Sequence, residues 1–123
     1  MKVGDKASVT RSFDETMLAE FFDLARNAPP VGYVPETLLS GIISYLLGVK
    51  LPGPGTNYLK QETKFLASAQ PGESITATVE VTRLRPEKHL CDLSTTCTGA
   101  DGTVFCTGRA LVLVKDVAAP VEA

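Results

Sequence analysis

The chain has 123 residues, 44% of them hydrophobic, a formal charge of −2 and a pI of about 5.3. That length suits one domain, residues 1–123, with a modest core, and the scattered lysines and arginines exclude a basic stripe for nucleic acid or for an anionic membrane surface. No apolar signal-type run opens the chain, so the sequence reads as cytoplasmic.

Residues 3–12 read as a first strand. Asp14 is placed to cap a helix running to about Arg26, with Met17, Leu18, Phe21, Phe22 and Leu24 as its apolar stripe. The loop from Asn27 to Val34, with Pro29-Pro30 and Gly32, ends that helix. Pro35 then opens a second helix as a favoured first-turn proline, with Glu36 and Thr37 beside it. From Thr37 to Val49 there is no charged residue, and Leu38, Leu39, Ile42, Ile43, Leu46 and Leu47 recur at helical spacing. A helix that is apolar or small all round is expected to be buried all round. It ends near Gly48, too short for a bilayer span of about 20 residues. The strands must therefore wrap it.

After a Gly-Pro turn the pattern predicts four strands. The first runs from Asn57 to Ala67. In the second, Ile75, Ala77, Val79 and Val81 alternate with Thr76, Thr78, Glu80 and Thr82. The third, Leu90–Thr98, alternates Cys91, Leu93, Thr95 and Cys97 with polar residues, and Ala100-Asp101-Gly102 signals a hairpin. The last strand, Thr103–Lys115, is apolar on both faces and is expected to be central or to form an interface. The cysteines, Cys91, Cys97 and Cys106, form no Cys-x-x-Cys pair, and the single histidine, His89, has no companions at metal-ligand spacing. They read as buried free thiols.

Three elements in the second half of the helix and beyond carry a resemblance: Leu46-Leu47-Gly48, Leu51-Pro52-Gly53-Pro54-Gly55, and Tyr58-Leu59-Lys60-Gln61. With the opening Val3–Ser8 strand, they make the chain similar to the (R)-specific enoyl-CoA hydratases of the MaoC-like, hot-dog family. The resemblance implies an α+β fold in which an antiparallel sheet wraps one long buried helix. It also implies a homodimer, no metal or separate cofactor, and a CoA or acyl-carrier-protein thioester as ligand.

The family's Asp-x-Asn-Pro-x-His motif falls on Asn27 to Gly32. Pro30 fits the motif proline, while Asn27 stands at the aspartate position and Gly32 at the histidine position. Asn27 can orient a water but cannot accept a proton near neutral pH, and Gly32 offers no side chain. The following segment is shorter than usual in the family, and Pro35-Glu36 replaces its His-Gly.

What the resemblance leaves for chemistry lies near the helix start. Glu36 is a candidate base for thioester hydrolysis, against the plainer role of complementing the helix N-terminus. The free amides of Glu36 and Thr37 can polarise a carbonyl. Tyr33 is a candidate pocket cap, and Tyr58, Lys60 and Gln61 are candidate substrate contacts on the strand that the resemblance places beside the cofactor channel, where Lys60 or Lys64 is placed to meet CoA phosphates. Exposed strand lysines also serve as edge protection. Three readings stay open: an acyl-thioester hydrolase, a non-catalytic acyl-binding or partner-subunit module, and an (R)-specific hydratase with non-standard residues.

Overall fold

A computed structural model of the chain describes residues 1–25 and 33–117. Chain order is β1 (Lys6–Arg11), α1 (Glu15–Ala25), α2 (Glu36–Tyr45), one π-helical turn (Leu46–Lys50), β2 (Asn57–Phe65), β3 (Ile75–Arg85), β4 (Leu90–Gly99) and β5 (Val104–Leu113). A short 3-10 turn, Pro86–Lys88, joins β3 to β4. All strand pairs are antiparallel, in the order β1-β3-β4-β5-β2. The two-sided apolar β5 is indeed internal, between β4 and β2.

The alternation in β3 and β4 decides which face meets the helix. Ile75, Ala77, Val79, Val81, Cys91, Leu93 and Cys97 are all buried on the inner face, where α2 packs against β3 and β4. Across β5 the same face continues through Cys106, Gly108, Ala110 and Val112. Gly108 is required by close approach. A Cβ there would drive into the carbonyl oxygen of Glu62 and the Cα of Thr63 on β2. Gly55 has the same constraint against the Asp116 carbonyl, with φ +97° as well.

Both helices differ from the pattern's expectation. Asp14 caps α1 as anticipated, its carboxylate accepting the Met17 N–H at 2.8 Å. Of the expected stripe, however, only Leu18 is buried, while Met17 and Leu24 are exposed. Phe21 and Phe22 are sequence neighbours about 100° apart around the helix, so they cannot share one core-facing stripe. Their rings meet edge to face at 5.6 Å instead. In α2, Leu39, Ile42 and Ile43 are buried, followed by Leu46 and Leu47 in the π turn. Thr37, Gly41, Ser44 and Tyr45 are exposed. The helix is buried on one side and not all round, because within one chain β3 and β4 pack against only that side.

Three register shifts reverse strand parity: between Tyr58 and Lys60, between Val81 and Arg83, and between Cys97 and Thr98. Each inserts one unpaired residue into one strand, which turns the following side chains to the opposite face.

Candidate functional site

The start of α2 gathers two of the predicted groups. Val34 anchors the entry: it is buried, and its N–H donates to the Ala69 carbonyl at 2.8 Å. Pro35 stands at the N-cap with φ −59°, and no side chain caps the helix. The Leu38 N–H donates to the Pro35 carbonyl at 3.0 Å. The amides of Glu36 and Thr37 are thus the open donors, as the sequence suggests. Both residues are exposed, and Tyr33 just before them is 41% exposed. A hydrogen bond with Cys97 holds the buried Cys106 thiol below its ordinary range, against burial and, least of all, the charge of Glu36. Asn27 and Gly32 lie outside the described residues.

The sheet divides the other three candidates. Tyr58 pairs with Val112 and Gln61 with Ala110, both buried inner-face residues. Lys60 pairs with Leu111, on the outer face. The extra residue at Leu59 produces this split. A strand without it would put Tyr58 and Lys60 on the same face. Partial burial pushes the Tyr58 phenol above its ordinary value. Gln61 donates its amide to Thr63 Oγ1 at 2.9 Å. Lys60 lies 3.4 Å from the Glu62 carboxylate, so it is not grouped with the inner-face pair.

Beside α2 is a feature the sequence pattern does not reveal. A pocket of about 290 Å³ is lined by Arg11, Phe13, Leu38, Gly41, Ile42 and Tyr45. The four helix residues fall at i, i+3, i+4 and i+7, one stripe of an α-helix. Arg11 and Phe13 close the slot from the end of β1. The Arg11 guanidinium sits over the Tyr45 ring at 5.6 Å from its centroid, a cation–π arrangement at the rim. Gly41 leaves the slot open, since a Cβ there would meet nothing within 4 Å. Glu36 lies about 200° around the helix from Leu38, so its carboxylate is not on the slot's stripe. An i, i+3, i+4, i+7 count could have found the helix half of this pocket. The contribution of β1 had no local signal.

The cysteines are buried free thiols, as the sequence suggests. Burial, reinforced by the Asp92 charge, pushes Cys91 up to about 12. Cys97 and Cys106 are direct cross-strand partners. A hydrogen bond to Cys106 and burial hold the Cys97 thiol protonated well above the ordinary range. Thr95, on the same inner strip, is 1% exposed, and its hydroxyl has no hydrogen-bond partner among the described residues. Among those residues no cluster of three or more His, Cys, Asp or Glu could hold a metal ion. No described helix is long and apolar enough to cross a membrane.

No protein-family model matches the chain. A protein named (R)-specific enoyl-CoA hydratase from Rhodospirillum rubrum is 38% identical, the match covering 93% of this chain and 88% of that protein. The solved (R)-hydratase of A. caviae, described as involved in PHA biosynthesis, superposes with a TM-score of 0.85 at 32% identity, over 91% of this chain and 96% of that one. The unliganded R-hydratase from Pseudomonas aeruginosa also gives a TM-score of 0.85, at 26% identity, over 99% of this chain and 84% of that one.

Proposed function

This chain belongs to the (R)-specific enoyl-CoA hydratase family, of hot-dog fold, and from that premise we propose that it binds a cytoplasmic acyl or enoyl thioester, of CoA or of an acyl-carrier protein, with the acyl chain in the slot beside α2. The observation that carries this reading is the apolar stripe of Leu38, Gly41, Ile42 and Tyr45, facing Phe13 across an open pocket of about 290 Å³. That volume is near the lower end of small-molecule pockets, which suits a short acyl group. The Glu36 and Thr37 amides at the start of the same helix are the donors for the thioester carbonyl.

Hydration by the family's usual route is not part of the proposal. With Asn27 and Gly32 at the positions of the acid–base pair, the proton transfers have no carrier, and each such group contributes about 10²–10⁴-fold. A second reading, thioester hydrolysis with Glu36 as base, is favoured by the uncapped helix start that Glu36 shares with the open amides. The homodimer belongs to the same proposal. β2 is an edge strand, and the exposed Tyr45, Val49 and Leu59 are apolar surface for a second copy to cover. Sedimentation at micromolar concentration tests that part, and a monomer would remove it.

Gly41→Leu tests the binding reading. The position has room for a side chain, and leucine is the better helix former, so the melting temperature should hold or rise. Acyl-CoA affinity should fall about tenfold or more. Unchanged affinity would move the acyl chain out of the slot. Turnover of a panel of acyl- and enoyl-CoA esters, followed by thiol release and enoyl absorbance, separates the activities. Crotonyl-CoA hydration should be negligible. Glu36→Gln should lower any hydrolysis about 10²-fold, and unchanged hydrolysis would exclude Glu36.

A further inference from the structure

The outer face of the sheet, opposite α2, carries a second pocket of about 270 Å³. Its side chains include four cations, Lys60, Arg83, Arg85 and Arg109, against two carboxylates, Glu62 and Asp92. Two of the register shifts build it. The pattern Ile75 to Val81 puts odd-numbered residues of β3 inside, so an unbroken strand would bury Arg83 and Arg85. The extra residue at Thr82 turns both outward: Arg83 faces Asp92, Arg85 faces Leu90, and Leu84 turns inward opposite Cys91. On the far side, the extra residue at Leu59 sets Lys60 opposite Leu111. One rung of the sheet therefore reads Arg83, Asp92, Leu111, Lys60 across β3, β4, β5 and β2. Leu111 supplies an apolar floor, with guanidinium and ammonium groups on both sides.

The charges within the pocket are unevenly paired. Arg85 holds Asp92 at 2.8 Å, and both side chains are about three-quarters buried. Glu62 is shared between Arg109 at 3.2 Å and Lys60 at 3.4 Å. Among the described residues no side-chain hydrogen bond or ion pair involves Arg83, and the buried Arg85 Nε has no acceptor. Lys60, the larger influence, and Arg109 hold the Glu62 carboxyl below its usual range. A concave site with two net positive charges, a free guanidinium and an orphaned N–H lacks an anionic acceptor with several oxygens. A phosphate group meets that description: guanidinium forks match its geometry, and its oxygens reach several donors at once.

We propose that this outer-face pocket binds the phosphate group of a small molecule, with Arg83 and Arg85 as the principal donors and Lys60 and Arg109 as flanking charges. The site lies on the opposite face of the sheet from the acyl slot and does not depend on the acyl-binding reading. The phosphate can come from the nucleotide end of a CoA ligand or from a separate phosphorylated molecule.

Calorimetric titration with inorganic phosphate, pyrophosphate and free CoA tests the site, using the parent, Arg83→Gln and, as an outer-face control, Lys6→Gln. Pyrophosphate should bind saturably, one per chain. Arg83→Gln should weaken it about tenfold or more without lowering the melting temperature, and Lys6→Gln should leave it unchanged. Competition between pyrophosphate and CoA, with CoA also weakened by Arg83→Gln, assigns the pocket to the CoA nucleotide. Arg83-dependent pyrophosphate binding with no competition assigns it to a separate phosphorylated molecule. The proposal is overturned if neither pyrophosphate nor phosphate binds saturably, or if Arg83→Gln and Lys6→Gln weaken binding equally, as bulk charge screening would. Pyrophosphate binding that ignores Arg83 while Gly41→Leu weakens acyl-CoA would remove this pocket and leave the acyl slot standing.

Discussion

On its inner face, the β3–β4–β5 part of the sheet presents Ile75, Val79, Val81, Leu93, Ala110, Val112 and three thiols, with no charged residue. On its outer face, the same three strands carry Thr76, Thr78, Glu80, Arg83, Arg85, Asp92, Ser94, Thr96 and Arg109. The inner face is held by burial, and its one polar exception, Thr95, has an unpartnered hydroxyl. The outer face is held by the backbone ladder, and its side chains contribute mainly through hydroxyl pairs and ion pairs, of which only Arg85 with Asp92 is largely buried among the described residues. Ser8 with Thr78 and Thr10 with Thr76 are such pairs, each at 2.9 Å between hydroxyl oxygens. The fold therefore draws its stability from one side of the sheet and leaves the other free to carry charge.

The largest effect that would break this contrast is a cavity on the inner side. Leu46 is fully buried, and Leu46→Ala should cost about 2–5 kcal/mol. Urea unfolding would show this as a lower midpoint with an unchanged slope. A loss below about 1 kcal/mol would mean that α2 is not seated in the core.

Gly108→Ala probes how tightly the β2 edge closes on β5. Its new Cβ meets backbone rather than a flexible side chain. The strand must shift, at a cost of about 1–3 kcal/mol. A neutral result in the same unfolding assay would show that β2 can move aside.

The third test uses pH. The folded Cys91 pKa is raised to about 12 from an ordinary 9.0, first by burial and then by the Asp92 charge. The folded state thus keeps a proton that the unfolded chain releases. The corresponding stability is complete below about pH 9 and is lost as pH rises toward 12. Cys91→Ala should flatten the decline by up to the slope of one proton. Parallel pH profiles for parent and variant would place the thiol in contact with water. Below pH 9 all three thiols should resist a thiol reagent until the protein is unfolded.

The smallest effect belongs to the outer face. Lys6 and Glu80 are 3.2 Å apart with side chains 63% and 38% exposed. Lys6→Gln should change stability by less than about 0.5 kcal/mol. A larger loss in the unfolding midpoint would mean that the outer face bears more of the fold than its solvent exposure indicates.

Much of this was legible in the chain itself, wherever the signal is local. Period-two alternation marked β3 and β4 and sorted Ile75 to Val81 correctly, because neighbouring strand residues must point to opposite faces. Asp14 announced the α1 cap, and the apolar run from Leu38 to Leu47 announced the core helix. The resemblance in Leu46–Gly48, Leu51–Gly55 and Tyr58–Gln61 named the family that the comparisons support. The open amides of Glu36 and Thr37 could be anticipated from Pro35 alone.

Tertiary structure decided the rest, for two physical reasons. The first is parity. One inserted residue in a ladder reverses every side chain after it, and the insertion exists only relative to a partner strand. Hence Lys60 parts from Tyr58, and Arg83 and Arg85 leave the core for the outer pocket. The second is distance along the chain. Arg11 and Phe13 complete a slot on a helix that begins more than twenty residues later. Which side of α2 is covered depends on where β3 and β4 pack against it. No periodicity within α2 encodes that, because those strands come far later in the chain and only the folded topology brings them under the helix.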